Sequence, residues 1–325
     1  MHQSNVSIKG LKHKLSSLLL CPVALVACMA VTTSCEEGED LTKEDAVAAF
    51  RNSAEKMTKL EADIAGDQVV KVIDKLVAGK LDGALPHFAP AHYLDFFYYW
   101  NDKTAMEAGK AYKMDASGTL TEEGSAAENA SSVTFAVESN DATVTFTDQT
   151  TTPLISAHTS ISYGGNQILS EVLCSGETKD AGTYSFTLTN GIMLSYAASD
   201  GVSVDVGGGI SIKLDGGEDN KVTGRTFAIT TDSKKKAIYS YTEGNAAGHD
   251  LTEIIWGEIW LHLDGIGVGN VSTNVEIKAI RDTKRHDIGK LDAKTGAITY
   301  VDGQTGKADV DMPELYAHLK DLFKF

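Results

Sequence analysis

The stretch from Leu251 to Asp264 carries the side chains best suited to chemistry in this 325-residue chain. Read as one strand, Trp256, Glu258, Trp260 and His262 share a face, while Ile255, Gly257, Ile259, Leu261 and Leu263 share the other. Two indoles with a carboxylate between them suit stacking on successive sugar rings, with Glu258 accepting hydroxyl hydrogen bonds. The opposing expectation is that both indoles face a second buried layer under the N-terminal helices, and the general burial of large aromatics favours it. A helix over the same run would instead place both tryptophans on one face at i and i+4.

No other constellation makes a catalytic or metal site. His87 and His92, near Asp82 and Asp95, match no standard ligand spacing. Asp215-Gly216-Gly217-Glu218-Asp219-Asn220 offers oxygens to calcium but lacks the alternating order of an EF-hand loop, so it reads as a hairpin turn. Gly303-Gln304-Thr305-Gly306-Lys307 has Ala308 where a phosphate loop needs Ser or Thr. Gly265-Ile266-Gly267-Val268-Gly269 does not open a helix in a βαβ unit. Ser53-Ala54-Glu55-Lys56 fits the Ser-x-x-Lys of serine penicillin-recognising enzymes, with Ser272-Thr273-Asn274 and Lys294-Thr295-Gly296 following in order. A largely β middle does not suit that family's helical domain, and three-residue patterns recur by chance. The sequence therefore implies no catalytic residue, no metal and no cofactor, and leans away from an enzyme.

Composition narrows the partners. The chain holds 29 Lys+Arg against 45 Asp+Glu, a formal charge of −16, and 42% hydrophobic residues. That hydrophobic content belongs to a folded protein. The acidity argues against nucleic acid, because phosphate backbones need clustered Lys and Arg.

The N-terminus is a processing signal. Lys9, Lys12 and Lys14 precede an apolar run from Leu15 to Val31, broken by Ser16 and Ser17, which is too short for a membrane-spanning helix. Thr32-Thr33-Ser34-Cys35 resembles the lipobox of bacterial lipoproteins, although it lacks Leu three residues before the cysteine. Leu25-Val26-Ala27-Cys28 fits that pattern better and makes Cys28 the alternative. Glu36, Glu37, Glu39 and Asp40 directly after Cys35 resemble the export signal of Bacteroidetes-type surface lipoproteins. The resemblance implies a signal peptide over 1–34, lipidation of Cys35, and a place on the outer membrane facing outward. It covers about the first 40 residues and is silent on the folded domain. Cleavage would remove three lysines and no acid, leaving 26 basic against 45 acidic residues, net −19. With Cys35 acylated, Cys174 has no disulfide partner, and its strand-like setting reads as a buried thiol.

The elements follow from periodicity. Residues 35–41 read as an acidic tether. Thr42 caps a helix with Asp45 returning the bond, and Val47, Phe50, Ala54, Met57 and Ile64 form its stripe. Gly66-Asp67 breaks it, and Asp67 caps a second helix through Val69, Val70, Ile73, Leu76 and Val77. The six rings of Tyr93 to Trp100 mark a core junction or, less favoured, a ligand platform. From about residue 130 the period becomes two, with turns at Gly164-Gly165, Asn190-Gly191, Asp200-Gly201 and Asp302-Gly303. Asp311 caps a last helix with Leu315, Leu319, Leu322 and Phe323 buried. The class is α+β, mainly antiparallel β: a helical and aromatic-rich segment over 42–115 packs on a sandwich or barrel over 116–325. The expected function is a non-enzymatic, lipid-anchored envelope protein, held to the membrane by its lipid. It would bind a glycan or an envelope protein, with a lipocalin-like apolar carrier and an envelope hydrolase as rivals.

Overall fold

A computed structural model describes residues 37–77, 106–147, 155–176, 182–200, 203–207, 210–213, 223–231, 236–246, 249–264, 274–282 and 284–323. Cys28, Cys35, Glu36, the histidines at 87 and 92, the aromatic run 93–100 and the 215–220 loop lie outside these residues.

Helix α1 (Lys43–Ala65) begins as its sequence predicts, with Thr42 Oγ1 accepting the Asp45 N–H at 3.3 Å. Its buried stripe is Ala46, Ala49, Phe50, Ser53, Ala54, Met57, Leu60 and Ile64. Helix α2 (Gln68–Val77) starts at Asp67, whose Oδ1 accepts the Val69 N–H at 2.9 Å.

Among the described residues eighteen strands follow: β1 (Lys110–Met114), β2 (Leu120–Ser125), β3 (Ala130–Val137), β4 (Asn140–Thr147), β5 (Ile155–Tyr163), β6 (Asn166–Gly176), β7 (Gly182–Thr187), β8 (Ile192–Asp200), β9 (Ser203–Gly207), β10 (Ile210–Lys213), β11 (Thr223–Thr231), β12 (Lys236–Ala246), β13 (His249–Trp256), β14 (Ile259–Asp264), β15 (Asn274–Arg281), β16 (Lys284–Asp292), β17 (Ala297–Tyr300) and β18 (Thr305–Lys307). Sixteen form one sheet, in the order β18 to β11, then β8 to β3, then β1 and β2. The ladder is antiparallel except where β1 runs parallel to β3. Among the described residues, the ladder pairs that join its six-strand and ten-strand halves are Ser175↔Thr183 and Gly176↔Gly182.

The rhythm of two reports the core face directly. Val133, Phe135 and Val137 are buried in β3, as are Ala142, Val144 and Phe146 in β4. Asn190-Gly191 turns β7 into β8, as expected. The hairpin expected at Asp200-Gly201 is not formed among the described residues: there β8 pairs with β11, and β9 and β10 form a separate two-stranded sheet. The β region opens at Lys110 rather than 116.

Helix α1 lies against β13 and β14, and α2 against β3 and β6, so the sheet curls round the helix pair and shares one core with it. The short α3 (Ala308–Asp311) leads into α4 (Pro313–Phe323), which packs on α1 with Leu315 and Leu319 buried. Leu322, expected inside, is 37% exposed. The Asp311 carboxylate, expected as a helix cap, accepts the Tyr300 hydroxyl at 2.9 Å and lies 3.8 Å from Lys43 Nζ. The fold is α+β, dominated by antiparallel sheet, with an N-terminal helical hairpin and a C-terminal helix.

Helix α4 also brings a titrating group to the core. The His318 ring meets Tyr239 edge-on, with Nε2 3.1 Å from the phenolic oxygen. Burial holds the imidazole below its ordinary 6.5, against the opposing charge of Asp321. The unfolded chain therefore binds a proton where the folded chain does not. This contribution is complete above about pH 6.5 and shrinks as pH falls toward the folded value. Thermal unfolding at pH 7.5 and 5 should show a fall in Tm on acidification that is smaller in His318→Gln; equal falls would refute the assignment.

Candidate binding face

Trp256-Gly257-Glu258-Ile259 does not continue as a strand. Gly257, at φ +68°, and Glu258 form a two-residue turn between β13 and β14, with Trp256 paired to Ile259 and Ile255 to Trp260. A two-residue turn reverses parity, so the two indoles take opposite faces of the sheet. Trp256 joins Ile254, Ile259, Leu261 and Leu263 in the main core under α1. Trp260 joins Ala228, Ala237, Ile255 and Ile280 in a small apolar cluster on the other face. The expected row of Trp256, Glu258, Trp260 and His262 on one face is therefore not assembled.

Helix α1 seats the turn. The Glu258 N–H donates to Ser53 Oγ at 3.1 Å, and a Cβ on Gly257 would stand 2.7 Å from the Ser53 Cβ. Glu258 Oε1 accepts from Arg281 Nη2 at 3.2 Å, and Oε2 meets Lys56 Nζ at 3.5 Å. Ser53 and Lys56, which fit Ser-x-x-Lys, thus hold a hairpin in place, and Ser53 is fully buried. Glu258 is a fastening rather than part of an open platform.

Trp260 and His262 do come together, around a carboxylate that the sequence reading passed over. Glu253 lies opposite His262 across the β13–β14 ladder. Its buried carboxylate accepts the Trp260 indole N–H through Oε2 and pairs with His262 Nδ1 through Oε1. Such partners are what a buried carboxylate requires. The Arg285 guanidinium covers the indole, 4.0 Å from the ring centre, and Lys278 Nζ lies 5.9 Å from it. Trp260 stays 7% exposed.

Beside Trp260 the ladder carries charge outward. Across the strands, His262 faces Glu276 and Glu276 faces Lys290, while Trp260 faces Lys278 and Lys278 faces Asp287. Lys278 and Asp287 form an ion pair at 2.9 Å. A bulge interrupts this register: Ile277 pairs with Gly289 and Lys278 with Asp287, so Ile288 is extra and turns into the core. The bulge lies beside an open cavity of about 280 Å³ lined by Glu276, Lys278, Asp287, Gly289, Lys290 and Thr299, among others. Among the described residues, no cluster of three or more His, Cys, Asp or Glu could hold a metal ion.

The acidic residues after Cys35 are placed differently from a free tether. Glu37 bridges Arg285 in parallel, the Gly38 N–H donates to Arg285 O at 2.7 Å, and the Leu41 N–H donates to Asp287 O at 2.9 Å. His286 Nδ1 lies 2.8 Å from Glu39 O, and Leu41 is buried. Glu37, Glu39 and Asp40 belong to a segment laid along the first half of β16. Among the described residues no helix is long and apolar enough to cross a membrane.

No protein-family model matches the chain, and neither the curated proteins nor the solved structures include a match.

Proposed function

We propose that this chain is a lipid-anchored cell-envelope protein whose bulged outer sheet face binds a glycan. Sequence supports the anchor: a basic segment and an apolar run lead to Cys35, and acids follow it. The observation that carries the binding reading is the cavity between β15 and β17. Glu276 and Asp287 carboxylates can accept sugar hydroxyls there, and Lys278 and Lys290 can donate to ring and hydroxyl oxygens. The interior of the curl favours a surface ligand over the apolar carrier, because α1, α2 and α4 side chains fill the core shared with the sheet.

Affinity electrophoresis in gels containing envelope or host polysaccharides tests this reading. Retardation by at least one polysaccharide is expected, lost in Lys290→Ala and Glu276→Ala and weakened in Trp260→Ala, since Trp260 supports Lys278 and Arg285 from below. Identical mobility of the wild type with and without every polysaccharide would remove the glycan reading.

A further inference from the structure

The segment joining the anchor to the domain is too short, and too firmly paired, to act as a tether. Only Glu36 stands between Cys35 and Glu37, and the two steps reach at most about 7 Å. From Glu37 onward the chain is held by Arg285, His286 and Asp287, then by Leu41 in the core and Thr42 at the start of α1. Lys43 closes the series: its N–H donates to Asp302 Oδ2 at 2.9 Å and its Nζ to Thr305 O at 2.7 Å.

The direction of this pairing selects one end of the sheet. Glu37 to Leu41 runs parallel to Arg285 to Asp287, so its upstream end points toward the β15–β16 turn at Asp282. Antiparallel alternation puts the β13–β14 turn at that same end, and the Arg281–Glu258 ion pair and the Ile280 N–H to Glu258 O bond (2.7 Å) join the two turns. The β16–β17 turn, with Lys294, lies at the opposite end.

We infer that the domain sits flush on the bilayer, with the rim of Glu37, Lys56, Arg281 and Asp282 against phospholipid headgroups. This rests on the reading of Cys35 as the acylated residue. The rim carries both signs, as does a phosphatidylethanolamine headgroup, so its cations face phosphate and its acids face ammonium. The far end of the sheet then points into the medium, and the cavity stands along the side of the domain.

Lysine footprinting of the lipidated protein in phosphatidylethanolamine–phosphatidylglycerol vesicles tests the orientation, with intact mass measured on the same sample. Acylation of Lys56 by a water-soluble ester should fall several-fold relative to the unanchored Cys35→Ser chain, while Lys294 reacts equally in both. A Gly-Ser insertion of about 20 residues between Glu36 and Glu37, with a reach of about 25 Å, should restore Lys56 labelling. Hydrogen exchange should show slow Gly38 and Leu41 amides in every sample, and fast exchange there would overturn the docking. Unprotected Lys56 on a chain whose mass shows acyl groups would overturn flush seating while leaving the anchor intact. A native chain with no fatty acid on Cys35 would overturn the anchor and the orientation with it.

Discussion

Gly289→Ala should destabilise the fold by about 3 kcal/mol, the upper end expected for forced overpacking combined with an unfavourable backbone angle. Gly289 has φ +149°, and a Cβ there would overlap Thr299 O and stand 2.9 Å from Tyr300 Cα. Both obstacles are backbone atoms of the neighbouring strand, so no rotamer change relieves them. Either β16 moves away from β17 or the bulge at Ile288 unwinds. Since Ile288 is buried and Gly289 lines the cavity, the substitution should lower the urea midpoint and also abolish polysaccharide retardation. A midpoint shift equivalent to less than about 1 kcal/mol would mean that the bulge is not a fixed part of the fold.

Asp67→Ala should cost a comparable amount, about 3 kcal/mol, through the loss of one helix cap and the stranding of two donors. Asp67 is a buried acid at the junction of α1 and α2. Its Oδ1 caps α2 at Val69, and its Oδ2 accepts both the Thr189 hydroxyl and the Asn190 N–H, the latter at 3.2 Å. Asn190 Nδ2 answers by donating to Asp63 O at 2.9 Å. One carboxylate thus fastens the helix pair to the β7–β8 turn. Asp67→Asn should fall between wild type and alanine, because an amide can keep the Val69 bond but turns an N–H₂ toward two donors. Thr189→Val should cost only about 1 kcal/mol, the size of one ordinary hydrogen bond. An alanine variant within 1 kcal/mol of wild type in urea unfolding would show that water replaces the carboxylate without penalty.

Each end of that fastening is legible in the sequence, but their meeting is not. Gly66-Asp67 before an apolar run announces a capped helix, and Asn190-Gly191 between alternating stretches announces a hairpin. Both are local rules about backbone groups. That the spare oxygen of Asp67 reaches residues more than 120 positions away depends on the curl of the sheet, which no local pattern specifies. The strands themselves were readable because one face is wet and the other apolar.

The run at 251–264 misled because apolar residues stand on both sides of Gly257-Glu258. Read straight through, Ile255 and Ile259 share a face and the indoles align. With the turn, Ile255 pairs with Trp260 and every later position changes side. Glycine in the first position of a two-residue turn was the available signal. The parallel seating of Glu37 to Leu41 left no such trace, since acidic, glycine-containing sequence reads as linker wherever it occurs. Its partner strand lies some 245 residues downstream.

That separation has a consequence for how the molecule is made. Nearly every strand in the ladder bonds to one made just before or just after it, an arrangement that lets the sheet grow as the polypeptide emerges. The exception is the seat at Arg285, His286 and Asp287, which is synthesised long after the segment it holds. Until it exists, Glu37, Gly38 and Leu41 have no strand to pair with. The stretch from Glu37 to Leu41 is therefore among the last parts of the fold to find its place.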